Sequence, residues 1–231
     1  MANNMNILAI IPARGGSKGI PRKNIKKIAG KPLIAYTIDS ASNSKYVNRI
    51  VVSTEDQEIA EISKEYGAEI VKRPEKLAND SSPTIDAILH SLTSLEEEDY
   101  LIDIVILLQP TSPMRTEEDL DEAIELFMKN ECESVVSVCE FDHSPYWSLK
   151  IENNYLQPGF GKKYFKMRRQ ELPTLFLPNG AIFISTPENL RTYKNFYLDK
   201  TLPHIMSSEN SIDIDTELDF KLAEIILKEK R

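Results

Sequence analysis

The chain has 231 residues, of which 41% are hydrophobic and 28% are charged, a balance that is typical of a folded globular protein. Its formal net charge of −8 argues against non-specific nucleic-acid binding as the main activity. No apolar run approaches the roughly 18 residues that cross a bilayer, and the first run ends at Pro12, so we expect neither a membrane span nor a signal peptide.

Short apolar segments recur along the chain, as expected for strands that are buried on both faces of a sheet. The predicted strands are Ile7–Ile11, Arg49–Ser53, Ala68–Val71, Asp103–Gln109, Ser134–Val138 and Ala181–Ser185. Helical patterns lie between them, such as Leu120, Ala123, Ile124 and Phe127. The last helix is predicted to begin at about Thr216 and to bury Leu218, Leu222, Ile225 and Ile226. This alternation predicts a mainly parallel α/β sheet in three layers, within one domain of residues 1–231.

A glycine-rich, basic segment follows the first predicted strand, with the sequence Pro12-Ala13-Arg14-Gly15-Gly16-Ser17-Lys18-Gly19-Ile20-Pro21-Arg22-Lys23-Asn24. Residues 1–38 hold seven cations and no acid, whereas the other 21 cations are outnumbered by 36 acids. At the carboxyl end of a strand, the backbone N–H groups and the cations Arg14, Lys18, Arg22 and Lys23 can bind a triphosphate. The segment is neither a Walker A motif nor Gly-x-Gly-x-x-Gly, which disfavours P-loop hydrolases and nicotinamide sites. The alternative is a flexible, solvated basic loop.

Two cysteines, Cys132 and Cys139, lie in the second half of the chain. Their spacing fits neither a disulfide framework nor a metal site. We expect both thiols to be reduced, as is typical of a cytoplasmic protein.

Residues 141–176 depart from the α/β pattern, because they hold eight of the 18 aromatic residues and several interrupting prolines and glycines. We predict an inserted arm of hairpins and loops. Its apolar surface needs cover, and we expect a homodimer to provide it. The alternative is an insertion that folds flat on the core of its own chain.

Asp213 and Asp215 alternate with Ile212 and Ile214, so an extended strand would place both carboxylates on one face. At about 5 Å and an effective dielectric constant near 20, their repulsion would be roughly 3 kcal/mol, and a shared Mg²⁺ would turn it into attraction. Mg²⁺ prefers such oxygen ligands and adds water and substrate phosphates. The alternative is that Asp215 caps the last helix and Asp213 is solvated.

Further motifs follow the segment Ile11–Asn24 in a defined order. They are Arg73-Pro74 with Leu77-Ala78 and Asp80, Leu108 to Pro113 with Arg115, Arg168-Arg169-Gln170 with Leu172-Pro173, Pro178 to Ile182, and Ser211 to Thr216. This set resembles the CMP-sialic acid synthetases, or acylneuraminate cytidylyltransferases, a family that includes synthetases for legionaminic and other nonulosonic acids. The resemblance covers nearly the whole chain. It implies the Rossmann-like fold of nucleotide-diphospho-sugar transferases.

The resemblance also implies a Mg²⁺-dependent nucleotidyltransferase. In the family, the anomeric hydroxyl of a nine-carbon α-keto acid sugar attacks the α-phosphate of CTP, which yields a CMP-sugar and pyrophosphate. The expected sugar is N-acetylneuraminate, legionaminate or a similar acid. One alternative is a cytidylyltransferase for an eight-carbon keto acid or a nucleotidyltransferase for a sugar phosphate. Another is a non-catalytic module that binds a nucleotide sugar.

By resemblance, the nucleotide-binding set is Ala13, Arg14, Gly15, Gly16, Ser17, Lys23, Asn24, Arg73 and Ser82. Arg14 and Lys23 would neutralise the triphosphate, and Arg73 would help to read cytosine unless it is an exposed loop arginine. Asp213 and Asp215 would hold the metal ion. The catalytic set would be Arg14, Lys23 and Asp213, with Asp213 or a metal-bound water as the base. These assignments require the basic loop and the acidic pair to share one cavity.

The sugar-binding set implied by the resemblance is Gln109, Arg169, Phe183, Phe196 and Tyr197. Arg169 suits a carboxylate because a guanidinium can bond it at two points, and the alternative is that it is one cation of a basic arm. Phe183 stands where many members have a tyrosine, so one hydroxyl contact would be missing. Phe196 and Tyr197 would pack against the acyl groups or lie in the core, and Gln109 would face the ligand or cap its strand.

Overall fold

The protein is described from a computed structural model, which covers residues 5–17 and 19–230. Lys18, one of the cations predicted to bind an anion, lies outside the described residues. The strands are β1 Ile7–Pro12, β2 Lys27–Ile28, β3 Lys31–Pro32, β4 Arg49–Thr54, β5 Glu69–Lys72, β6 Ile104–Leu107, β7 Ser134–Glu140, β8 Leu149–Glu152, β9 Tyr155–Pro158, β10 Phe176–Ser185 and β11 Thr201–Ile205. The α-helices are α1 Leu33–Asn43, α2 Gln57–Glu65, α3 Thr84–Glu96, α4 Glu117–Lys129, α5 Pro187–Tyr193 and α6 Glu217–Glu229.

Seven strands form the central sheet in the order β11-β7-β10-β6-β1-β4-β5. β1 is parallel to β4 and β6, β4 to β5, and β7 to β11, whereas β10 is antiparallel to both of its neighbours. The prediction of a mainly parallel sheet is confirmed. β11 was not predicted, because Pro203 and His204 interrupt its apolar pattern; a proline is tolerated there since β11 is an edge strand.

Alternate side chains of β1 point to opposite faces of the sheet. Ile7, Ala9 and Ile11 belong to a core that includes residues of α1, α2 and α4, whereas Leu8 and Ile10 belong to a core with residues of α3 and α5. All five side chains are at most 1% exposed. Burying each large one contributes about 1.5–3 kcal/mol. The three-layer prediction is therefore confirmed.

The last helix, α6, begins one residue after its N-cap Thr216, close to the predicted start. The prediction of its buried face is wrong for Leu218, Leu222 and Ile225, which are 75%, 47% and 57% exposed, whereas Ile226 is partly buried as predicted. Phe220 and Leu227 are buried instead, in a third core with Leu33 of α1. The predicted and the observed sets of apolar residues both recur with the helical period of 3.6 residues, so only packing against the rest of the protein decides which set is buried.

The segment of residues 141–176 contains a separate two-stranded hairpin of β8 and β9, flanked by short 3-10 turns. Tyr146 stacks on Tyr164 with ring centroids 4.2 Å apart, and Trp147 Nε1 donates a hydrogen bond to the Tyr164 carbonyl over 3.0 Å. Ile151 and Tyr155 of the hairpin are 74% and 72% exposed. This arm therefore packs partly on itself and leaves an apolar surface uncovered within one chain.

Within the described part of the chain, no helix combines the length and the apolar character that crossing a membrane requires. Cys132 and Cys139 are both free thiols. Burial raises the pKa of Cys132, which keeps that thiol protonated.

Candidate active site

A cavity of about 470 Å³ opens at the carboxyl ends of β1, β5 and β6. Its walls come from the glycine-rich loop, the turn that follows β5, the loop that follows β6 and the segment that precedes α6. Ten of the predicted site residues line it: Arg14, Gly16, Ser17, Lys23, Asn24, Arg73, Ser82, Gln109, Asp213 and Asp215. The basic loop and the acidic pair thus lie in one cavity, as the sequence-based assignment requires.

The glycine-rich loop is held against the end of β4. The N–H of Ala13 donates to the Ser53 carbonyl over 3.0 Å, and the N–H of Gly15 donates to Glu55 Oε1 over 2.7 Å. A Cβ atom at residue 15 would lie 2.5 Å from Asp56 Oδ2, so this close approach requires glycine. Ala13 is buried and the Gly15 N–H is bonded to Glu55, and neither residue lines the cavity. These two members of the predicted nucleotide set shape the loop.

Lys23 connects the basic loop to the acidic segment near the other end of the chain. Its Nζ donates to the Ile214 carbonyl over 2.6 Å and to Asp215 Oδ1 over 3.2 Å. Ile214 is fully buried, and its N–H donates to the Thr111 carbonyl over 2.9 Å. The ammonium group of Lys23 is therefore held by the carbonyl of a buried, hydrogen-bonded residue.

Asp213 and Asp215 line the cavity from a segment without regular secondary structure, so the predicted strand is wrong. Their alternation with isoleucine still holds, because the buried Ile214 anchors the segment. The alternative in which Asp215 caps α6 is also wrong, since Thr216 is the N-cap. The Asp213 carboxylate is open to the cavity but crowded by protein atoms, and this desolvation, with the nearby charge of Asp215, raises its pKa.

Asp213 and Asp215 could bind a magnesium ion if other oxygen ligands complete its coordination. Among the described residues, no three or more His, Cys, Asp or Glu side chains cluster as a metal site. Two carboxylates would have to be supplemented by water and phosphate oxygens, which is how Mg²⁺ commonly binds in nucleotide sites. A cation there would also offset the desolvation and the repulsion from Asp215 that raise the pKa of Asp213.

Arg73 follows β5 and is only 6% exposed, so the alternative of an exposed loop arginine is wrong. Its Nη2 donates to the Ser53 carbonyl over 2.7 Å and its Nε to Ser53 Oγ over 3.2 Å. Burial lowers the pKa of Arg73, and the nearby charge of Glu55 opposes that effect. Ser82 lines the same wall and donates its hydroxyl to the Lys76 carbonyl over 3.1 Å.

Gln109 lines the cavity just beyond β6 and lies beside Gly180 of β10. Gly180 has φ of +75°, and a Cβ atom there would lie 2.8 Å from Gln109 Oε1 and 3.9 Å from Asp213 Oδ2. The backbone conformation favours glycine, and a larger residue would displace the Gln109 amide. Gln109 and Asp213 therefore approach the same point on β10, with an uncharged amide next to a carboxylate.

Four residues of the predicted sugar-binding set do not line this cavity: Arg169, Phe183, Phe196 and Tyr197. Phe183 and Phe196 are 8% and 6% exposed and pack in the core with α3, their ring centroids 5.4 Å apart. Tyr197 is 53% exposed, contacts Phe183 edge-on and lines a separate cavity. Arg169 lies on a 3-10 turn of the arm, beside a different groove. Of the pair Phe196 and Tyr197, the core interpretation describes Phe196 alone, because Tyr197 is exposed.

The loop that follows β4 contributes acidic residues that were not assigned from the sequence. Arg22, predicted to face an anion, instead donates from Nη2 to Asp56 Oδ1 over 2.9 Å and to Glu58 Oε2 over 2.6 Å. This ion pair lowers the pKa of Asp56. Glu55 and Asp56 could have been found, because the carboxyl ends of neighbouring parallel strands meet at one edge of a sheet.

Comparisons with known proteins agree with this geometry. Residues 8–168 match a protein-family model described as Cytidylyltransferase. The CMP-N,N'-diacetyllegionaminic acid synthase of Legionella pneumophila is 40% identical over 228 residues, covering 97% of this chain and 97% of that protein. The N-acylneuraminate cytidylyltransferase of Escherichia coli O18:K1:H7 is 36% identical over 227 residues, covering 97% of this chain but 52% of that longer protein.

A solved structure of similar fold is a CMP:2-keto-3-deoxy-manno-octonic acid synthetase complexed with CTP. It aligns with a TM-score of 0.73, covering 98% of this chain and 100% of that chain. The sequence identity is 16%, so this likeness supports the shared fold alone.

Proposed function

This chain belongs to the cytidylyltransferase family, and from that premise we propose that it uses CTP to activate a nonulosonic acid of the sialic or legionaminic type. The products are the CMP-sugar and pyrophosphate. The observation that carries the proposal is the cavity that Arg14 and Lys23 share with Asp213 and Asp215. Two relatives that match nearly all of this chain are named for legionaminic and acylneuraminic acids, which supports the sugar class.

In the proposed reaction, the anomeric oxygen of the sugar bonds to the α-phosphorus of CTP, and the bond from that phosphorus to the oxygen of pyrophosphate breaks. Negative charge grows on the departing pyrophosphate. Arg14 and Lys23 stabilise this charge electrostatically. Lys23 needs little reorganisation, because its ammonium is bonded to the anchored Ile214 carbonyl. Arg73 and Ser82, on the other wall of the cavity, are assigned to the cytosine and the ribose.

Asp213 and Asp215 would hold a Mg²⁺ ion that neutralises phosphate charge. The sugar hydroxyl must also lose a proton, and we assign its removal to Asp213. Gln109, beside Asp213, is assigned to a sugar hydroxyl, for which an uncharged hydrogen-bonding side chain is suited.

We further propose a homodimer that forms through the arm of residues 141–176. Ile151, Tyr155 and Leu156 are 74%, 72% and 65% exposed, and a second copy of the arm offers the apolar surface to cover them. Arg169 lies on the same arm and does not line the active-site cavity. Its proposed role at the sugar carboxylate therefore requires that the dimer bring Arg169 to that cavity. A cytoplasmic location is also proposed, supported by the two free thiols.

Pyrophosphate release tests the reaction. The purified protein is incubated with Mg²⁺, each of the four nucleoside triphosphates and a panel of keto acids. We expect release only with CTP and a nonulosonic acid, and at least about a 100-fold lower rate for Asp213→Ala. Glu131→Gln is the control. This exposed acid precedes β7 and so lies at the amino ends of the parallel strands, whereas the cavity lies at their carboxyl ends.

Other outcomes lead to the alternatives. Turnover with an eight-carbon keto acid or a sugar 1-phosphate instead would assign the protein to a different nucleotidyltransferase. Tight binding of a CMP-sugar with no turnover of any substrate would indicate a non-catalytic module. A wild-type rate for Asp213→Ala would remove the acidic pair from the reaction.

A further inference from the structure

Arg14, the cation assigned to the triphosphate, already has a carboxylate partner within the chain. Its Nη1 lies 2.7 Å from Asp80 Oδ1, and both residues line the cavity. The two side chains are 31% and 48% exposed, so water reaches the ion pair. A phosphate oxygen that binds the Arg14 guanidinium therefore approaches a group that is already bonded to the Asp80 carboxylate.

Asp80 belongs to the turn of residues 75–83 between β5 and α3, and this turn is closed by its own hydrogen bonds. Asn79 Nδ2 and Ser82 Oγ both donate to the Lys76 carbonyl, over 3.3 Å and 3.1 Å. The Ser82 N–H donates to the Asn79 carbonyl over 3.0 Å. None of these bonds uses the Asp80 carboxylate. The ion pair therefore joins two walls of the cavity, the turn and the glycine-rich loop.

We propose that Asp80 is an internal competitor for the nucleotide phosphates. Its carboxylate bonds to Arg14 and must release that guanidinium, or share it, when a triphosphate binds. This inference rests on the proposed function, because it takes CTP as the ligand. Carboxylate and phosphate are both oxyanions that a guanidinium binds through the same N–H groups.

The competition affects substrate and product alike. An exposed ion pair is weak, so a triphosphate with several negative charges displaces it. The carboxylate also weakens the binding of pyrophosphate, which carries the same groups. Asp80 therefore lowers the affinity for phosphorylated ligands and favours release of the product, whereas an unphosphorylated nucleoside is not affected.

The variant Asp80→Asn removes the charge and keeps the size of the side chain. Titration calorimetry in Mg²⁺ buffer compares cytidine, CMP and CTP as ligands. We expect the variant to bind CTP about threefold to tenfold more tightly than the wild type, and cytidine with less than about a twofold change. Pyrophosphate should inhibit the variant at a correspondingly lower concentration. Glu131→Gln removes the same charge far from the cavity and should leave all three affinities unchanged.

A double-mutant cycle identifies the partner. In an Arg14→Gln background, most of the gain from Asp80→Asn should disappear, because the competition acts through Arg14. Equal or weaker CTP binding by Asp80→Asn would overturn the inference and indicate that Asp80 orients Arg14. An equal gain for cytidine would also overturn it, because it would indicate a rearranged turn. Wild-type protein that binds no CTP would instead refute the proposed function itself.

Discussion

Gly180→Ala should damage the active site through two effects that can be worked out from the structure. Alanine at φ of +75° is disfavoured by roughly 1–2 kcal/mol. The added Cβ would also lie 2.8 Å from Gln109 Oε1, closer than van der Waals contact, so the flexible amide must turn away. We therefore expect the free energy of unfolding to fall by about 1–2 kcal/mol and Tm by about 2–8 °C.

Displacement of Gln109 should appear in the kinetics of the sugar substrate. Loss of one hydrogen bond of about 1–1.5 kcal/mol predicts a KM for the sugar about tenfold higher, with less than about a twofold change in the KM for CTP. Steady-state pyrophosphate release with either substrate varied measures both constants, and thermal unfolding measures the stability.

Gly67→Ala is the matched control for this prediction. Gly67 has φ of +90°, and a Cβ added there would meet no atom within 4 Å. It closes α2 and does not line the cavity, so its alanine variant should lose similar stability and keep both KM values. If Gly180→Ala left the sugar KM unchanged, or if both variants raised it equally, the argument that Gly180 keeps space for Gln109 would be refuted.

Three further predictions concern stability and assembly. The Arg22 ion pair lowers the pKa of Asp56, so this carboxylate stabilises the fold above about pH 4 and loses that contribution as pH falls through its folded pKa. The difference between the urea midpoints of wild type and Asp56→Asn should therefore be largest at pH 7 and shrink as pH falls below about 4, and a constant difference would contradict the pairing. His204 is 7% exposed, and burial lowers its pKa, so wild type should lose stability below about pH 6.5 as the unfolded chain takes up a proton. His204→Gln should reduce that slope between pH 7 and pH 5, and equal slopes would show that another group titrates. Ile151→Glu should shift the mass measured by light scattering from dimer to monomer; a monomeric wild type would refute the arm as a dimer interface.

The layered sheet could be predicted because a strand buried on both faces must be apolar throughout. Residues 7–11 meet that condition, and the other five predicted strands meet it in part, with polar residues such as Arg49, Glu69 and Asp103 at or near their ends. Thr201–Ile205 does not meet it, because an edge strand has fewer neighbours and accepts Pro203 and His204. The start of α6 could be predicted from its N-cap residue, Thr216. Its buried face could not, because two sets of apolar residues recur with the same helical period, and only the set with Phe220 packs against the core.

Local composition by itself determined six strands of the central sheet, the glycine-rich loop with its excess of cations, and the acidic pair with its alternating isoleucines. Only the tertiary structure decided which of these groups meet. Arg22 pairs with Asp56, Arg14 pairs with Asp80, and Phe196 packs in the core. Lys23 and Asp215 are separated by 192 positions, yet their charged atoms lie 3.2 Å apart. Side-chain period and propensity act over a few residues, whereas such contacts depend on the paths of loops that the sheet brings to one edge.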